Sequence, residues 1–264
     1  MFKFSKSLYL GSTGSSVSRL SYPGRFKVED QILVDLAERR GLTAIFDIGV
    51  SSGVTTAELC EKLKLSMRPS VKVFACDVFS KLTRESYPLF DVYKTYDGRV
   101  AFFQILNFRF SKSLSKIRFL QRIIALVLTF IYKHSSKKGG REVTYFHDSF
   151  SALINKGLVT WVDHDFFNSR TYIFLQHVEE KGALFRIFNV LNLELFERDR
   201  IKDFLRNVLL SMPEGSRLWI GRTDKDGITN SSIFLLEQGG LTLEHKLNAG
   251  SELTSLIAEL EPVE

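Results

Sequence analysis

Cysteine is nearly missing from these 264 residues, and the two present, Cys60 and Cys76, sit in apolar stretches with no zinc-ligand spacing. Neither a disulfide framework nor a four-ligand metal site can be built from them, so a reducing, cytoplasmic setting is expected. Long apolar runs are lacking as well. The longest, residues 123–132, is about half of the ~20 residues needed to cross a bilayer, so it suits a membrane surface better than a membrane span. The amino terminus carries scattered lysines without the apolar core or small-residue cleavage site of an export signal. No internal repeat is visible, and low complexity is confined to the serine-rich residues 12–18. The net charge of +6 favours anionic partners, yet no nucleic-acid module accompanies it, and nucleic acid is not expected as a partner.

What is present is an alternation of strands and helices. Ile32, Leu33, Leu36 and Ala37 recur at helical spacing before Gly41, which predicts an amphipathic helix over 28–39. Residues 43–48 form a short, almost wholly apolar run, suited to a strand buried on both faces of a parallel sheet. A turn with Gly49 and Gly53 then leads into a helical stretch over 55–65. Further strands are expected at 71–76, ending at Asp77; at 158–162, ending in Asp163-His164-Asp165; at 183–188; and at 217–220, with a helix over 198–210. Residues 232–237 and 241–247 around Gly239-Gly240 read as a hairpin that adds an antiparallel strand at the sheet edge.

The fold class expected is therefore α/β, a doubly wound, Rossmann-like, mostly parallel sheet. Residues 87–138 break the alternation, with a hairpin around Asp97-Gly98 followed by a long basic and aliphatic helix. They read as an insertion in a single domain, and residues 1–27 as an amino-terminal extension. Residues 143–146, followed by His147-Asp148, compete with 71–76 for the place of the second strand.

The chemistry is concentrated in the turn Asp47-Ile48-Gly49-Val50-Ser51-Ser52-Gly53, because glycines where a helix begins let a ligand approach the backbone. The third glycine of a dinucleotide fingerprint is absent, and no glycine-lysine-serine follows, which disfavours NAD and ATP and leaves another nucleoside-bearing cofactor. A branched side chain at Gly53 would then fill the cofactor's approach. The alternative is that Gly49 and Gly53 only relieve crowding.

Residues 45–53 resemble the first motif of class I S-adenosylmethionine-dependent methyltransferases, an apolar strand, an acidic residue and glycine-x-glycine-x-glycine, with Ser51 in place of the middle glycine. The resemblance extends over 32–77 and from 158 onward. It implies S-adenosylmethionine as cofactor, with Asp47, Gly49, Ser51 and Gly53 at the turn, Asp77 on the ribose hydroxyls and Asp165 near the adenine amino group. Residues 183–222, with Asn189-Val190-Leu191 and Pro213-Glu214-Gly215, are similar to the later half of the chemotaxis-receptor methyltransferases. That likeness places Asn189 and Asn192 at the cleft and offers Arg25 to the methionine carboxylate of the cofactor.

The activity so implied is methylation of a small-molecule, glycan or lipid-linked acceptor, oxygen being favoured, without a metal. The alternatives are a protein carboxyl methyltransferase and a binding protein that has lost turnover. A hydroxyl acceptor needs a general base, for which His147, Asp148 and His164 stand at strand ends. Within residues 112–133, Lys116, Arg118 and Arg122 precede Ile123, Ile124, Leu126, Val127, Leu128 and Ile131. This segment reads as a lid, or as a helix touching a membrane from the cytoplasmic side with Lys133, Lys137 and Lys138 at anionic headgroups.

Overall fold

The computed structural model describes residues 23–64, 71–77, 81–94, 100–105, 108–110, 119–134, 140–144, 146–167, 182–224 and 226–262. In chain order the elements are α1 (Lys27–Arg40), β1 (Ala44–Ile48), α2 (Val54–Lys62), β2 (Lys72–Asp77), β3 (Lys81–Ser86), β4 (Asp91–Lys94), β5 (Val100–Ile105), β6 (Phe108–Phe110) and α3 (Phe119–His134). They continue with β7 (Arg141–Thr144), α4 (Asp148–Asn155), β8 (Val159–Asp163), β9 (Ala183–Phe188), α5 (Arg198–Leu209), β10 (Arg217–Thr223), β11 (Thr229–Glu237), β12 (Gly240–Leu247) and α6 (Thr254–Ala258).

Two compact units result, one of Pro23–Val78 with His147–Glu264, the other containing Phe79–Phe146. The first holds a seven-stranded sheet in the order β12-β11-β10-β9-β1-β2-β8. Five strands, β10 to β8, run parallel, and β11 and β12 return antiparallel at one edge. This is the doubly wound α/β sheet that the alternation predicts. The edge hairpin turns at Gln238 and Gly239, both at positive φ, as a two-residue turn matching strand twist requires.

Burial on both sides explains the apolar strands: all five residues of β1 and all six of β9 are buried. One face carries Phe46, whose ring stacks on Phe74 of β2 at 4.7 Å and on Phe185 of β9 at 4.5 Å, its partners in the strand register. Ile201, Phe204, Leu205 and Val208 of α5 join that layer in one apolar cluster. The opposite face of β1 carries Asp47, which meets Thr56 of α2.

The second unit has an antiparallel sheet in the order β6-β5-β4-β3-β7. Tyr87, Phe90, Val92, Phe103 and Leu128 form its core, with Ile124 and Tyr132 of α3 packed on it. Two sequence readings need correction here. Residues 143–146 supply no second strand of the parallel sheet, because β7 pairs antiparallel with β3. The sheet takes in Lys81 to Thr144, wider than the 87–138 insertion. The antiparallel pairing of β4 with β5 gives the hairpin, while its turn at Asp97-Gly98 lies outside the described residues, as do residues 1–22, Lys112, Lys116, Arg118, Lys137 and Lys138.

Candidate functional site

Strand order reverses between β1 and β9: the chain runs outward from β1 to β2 and β8 on one side, and from β9 to β10 on the other. In open α/β sheets a crevice forms beyond the carboxyl ends of the strands at such a point. The ends of β1, β2, β8, β9 and β10 bring Gly49–Gly53, Asp77, His164, Asn189 and Thr223 to this edge of the sheet.

Backbone bonds hold the turn after β1. Gly49 N–H and Val50 N–H both donate to the Cys76 carbonyl, at 2.7 and 3.3 Å, and Gly53 N–H donates to the Val50 carbonyl. Gly49, Ser51 and Gly53 all have positive φ, so Ser51 occupies at 56° the left-handed conformation that a glycine takes without cost. What holds it there is Asp77, whose Oδ2 accepts from Ser51 N–H at 2.7 Å; both residues are buried. Asp77 therefore stands at the end of the strand next to β1, in contact with the turn, where the sequence reading put it. Ser51 Oγ is buried with no hydrogen-bond partner among the described residues.

Several expected site residues are engaged by the protein itself. Asp47 is turned into the core rather than toward a cofactor. Its Oδ1 accepts from Arg186 Nε at 2.9 Å, and its Oδ2 accepts from Arg186 Nη2 at 2.5 Å and from Thr56 Oγ1 at 2.6 Å. Arg186, 1% exposed, also donates to Asp30 Oδ1 at 2.9 Å. Burial opposes the guanidinium charge, and the carboxylates of Asp47 and Asp30 outweigh it, holding the pKa above its ordinary value. Asp30 itself is pushed up by burial, against the pull of Arg186.

Both glycines are needed for packing. A Cβ at Gly49 would stand 2.1 Å from Val190 Cγ2, and one at Gly53 would stand 2.2 Å from the ring of Phe150. A branched side chain at Gly53 would therefore first meet the Phe150 ring of α4, whatever it did to a cofactor's approach.

His147 is the N-cap of α4, its Nδ1 accepting from Ser149 N–H at 3.3 Å, and its own N–H donates to the Ser52 carbonyl at 2.9 Å. The ring nitrogen that caps is engaged, which argues against a catalytic base. His147→Ala is expected to cost about 1 kcal/mol in urea denaturation, the usual price of a lost cap. Asp148, exposed in the first turn of α4, favours the helix dipole. Asp165 Oδ1 accepts from Phe167 N–H at 2.9 Å and so starts a turn. His164 is buried edge-on to Phe166, and burial lowers its pKa against the opposing effect of Asp165, so its ring is neutral at pH near 7.

At the far side, Asn189 has φ 59°, accepts from Thr223 N–H at 2.9 Å and donates to Thr223 Oγ1 at 3.4 Å. Arg25 Nε donates to the same hydroxyl at 3.3 Å. Asn192 Oδ1 accepts from Glu194 N–H and from Arg222, a local turn role. Sequence reading missed Arg186, Thr56, Phe150 and Thr223. Of these only Arg186 left a signal, a lone charge inside an apolar strand.

Among the described residues no His, Cys, Asp and Glu group could hold a metal ion, and no helix is long and apolar enough to cross a membrane. No protein-family model matches the chain, and no curated protein matches it. Among solved structures it is similar to N-methyltransferase NodS from Bradyrhizobium japonicum with S-adenosyl-L-homocysteine, at 12% identity over 75% of this chain and 62% of that one, TM-score 0.32. A candidate protein-L-isoaspartate O-methyltransferase from Plasmodium falciparum gives 11% identity over 94% and 80%, TM-score 0.40. Human N-acetylserotonin methyltransferase gives 11% over 76% and 36%, TM-score 0.33. The chain thus spans less than two thirds of the first and third of these proteins. Likenesses this slight carry no argument about function, and the fold is read from the chain's own sheet.

Proposed function

We propose that the larger unit is an S-adenosylmethionine-dependent methyltransferase whose cofactor lies over the turn between β1 and α2. The observation that carries this reading is Asp77, a buried carboxylate at the end of β2, bonded to the backbone of the glycine turn at the switch point of the sheet. A carboxylate there suits the paired hydroxyls of a ribose, and the unspent Ser51 Oγ beside it suits a further polar group of the ligand. Asp163 and Asp165 add negative charge near the ends of β2 and β8, favourable to a cationic sulfonium. Arg25 and Asn189 remain candidates for the methionine end, through the Thr223 hydroxyl that both already contact.

When bound, S-adenosylmethionine supplies an electrophilic methyl group, so the protein has chiefly to align the acceptor and exclude water. The acceptor we favour bears a hydroxyl, on a small or lipid-linked molecule. His164 fits the base better than His147, which caps α4, or Asp148 in the first turn of that helix, because burial keeps its imidazole neutral. The committed packing of Gly49, Gly53 and Asp47 favours, as a second reading, a nucleoside-binding protein without turnover.

S-adenosylhomocysteine at millimolar concentration is expected to raise the melting temperature, as any ligand of the folded state does. Asp77→Ala should weaken its binding by roughly ten- to a hundredfold, the loss of about 1.5–3 kcal/mol from a charge-assisted hydrogen bond, while Asp148→Ala should leave it unchanged. Titration calorimetry on the folded variants decides. No shift with the parent chain, or the reverse order of the variants, defeats the proposal; binding without methyl transfer to any acceptor supports the second reading.

A further inference from the structure

Helix α3 has two apolar faces, and its own sheet needs one. Ile124, Leu128 and Tyr132, spaced four apart, pack on the core of Phe90, Val92 and Phe103. Ile123, Leu126, Val127, Phe130 and Ile131 recur at the spacing of a second stripe and are exposed, Leu126 and Phe130 by 64% and 66%. A soluble helix rarely leaves such a row in water without an occupant.

Charge indicates which occupant. From Gly98 to Arg141 the sequence contains ten lysines and arginines and no aspartate or glutamate. The whole chain carries +6, so the remainder carries −4, and the positive charge is concentrated in the stretch of sequence that contains the helix with the exposed stripe. Within the described part, Lys133 is exposed in the last turn of α3 and Arg141 at the start of β7. An RNA backbone would satisfy the cations but gain nothing from five bare aliphatic and aromatic side chains. A lipid surface with anionic headgroups satisfies both, the stripe entering the headgroup–acyl boundary and the cations meeting phosphate and carboxylate.

We infer that α3 docks the protein onto an anionic lipid surface through Ile123, Leu126, Val127, Phe130 and Ile131. This inference does not rest on the cofactor reading, and its test leaves that reading untouched. The full chain is sedimented with vesicles of phosphatidylcholine, alone or mixed with phosphatidylserine, and S-adenosylhomocysteine binding is recorded separately. Binding to the mixed vesicles is expected, with affinity about tenfold lower on phosphatidylcholine alone and a steep decline with salt. Leu126→Glu with Phe130→Glu should abolish it while leaving the melting temperature unchanged, since both positions are exposed; Leu126→Ser with Phe130→Ser serves if the charged pair fails to fold. No binding to mixed vesicles, binding that the folded variants retain, capture by polyuridylate in place of vesicles, or self-association that the variants abolish without lipid each overturns the inference.

Discussion

Arg186→Met is expected to destabilise the larger unit by about 3–5 kcal/mol, because it leaves two carboxylates, Asp47 and Asp30, buried without their shared cation. Urea denaturation followed by tryptophan fluorescence reads it directly, since Trp219 lies beside Arg186 in the strand register. The deficit should depend on pH with a definite sign. Burial already raises the Asp30 pKa, and Arg186 pulls it down; without the guanidinium it rises further. A carboxyl whose folded pKa is raised contributes stability below its unfolded value and loses it as pH rises through the folded one, so the variant should recover ground on acidification. Replacing Arg186, Asp47 and Asp30 together by Met, Leu and Leu should restore most of the loss, as exchanging a whole buried ion cluster for apolar side chains is often neutral. A single variant as stable as the parent would mean that water reaches this cluster.

Gly53→Ala should cost about 2–5 kcal/mol. Its φ of 75° penalises any L side chain by about 1–2 kcal/mol, and the new methyl would meet the fully buried Phe150 ring at 2.2 Å. Phe150→Ala alone should cost about 3–5 kcal/mol through the cavity it opens. The double variant should cost less than the sum, because the cavity accepts the methyl, and a double-mutant cycle measures the difference. Strict additivity would show that Gly53 is needed for its backbone conformation and not for the ring packed on it.

Much of the larger unit was legible because its strands are buried on both faces and so read as continuous apolar runs. β1, β2, β8, β9 and β10 begin and end within a few residues of expectation, and the Gln238-Gly239 turn marks the edge hairpin. The smaller sheet was not legible for the opposite reason. β3, with the sequence KLTRES, turns Glu85 inward, where Lys94 neutralises it at 2.6 Å, so no apolar alternation survives. At the site, Asp77 could be placed because a strand end is a sequence feature. The engagement of Asp47 could not, since its partner Arg186 lies 139 residues away and meets it only through the pairing of β1 with β9. His147 misled for a similar reason: a histidine beside an aspartate suggests acid–base chemistry, but it caps the helix that the next residue begins.

The parallel pairing of β1 with β9 also sets an order of events during synthesis. β1 meets β2 after 28 residues, Ala44 opposite Lys72, but its other neighbour begins at Ala183, which emerges 139 residues after Ala44. At ribosomal rates of about 5–20 residues per second, β1 spends roughly seven to twenty-eight seconds as an unprotected strand edge, with a stack of phenylalanine rings on one side of it still incomplete. Late closure of this kind slows folding and exposes the nascent chain to pairing with its neighbours on the polysome. The carboxylate of Asp47 then acts as a gatekeeper on β1 until Arg186 arrives to neutralise it.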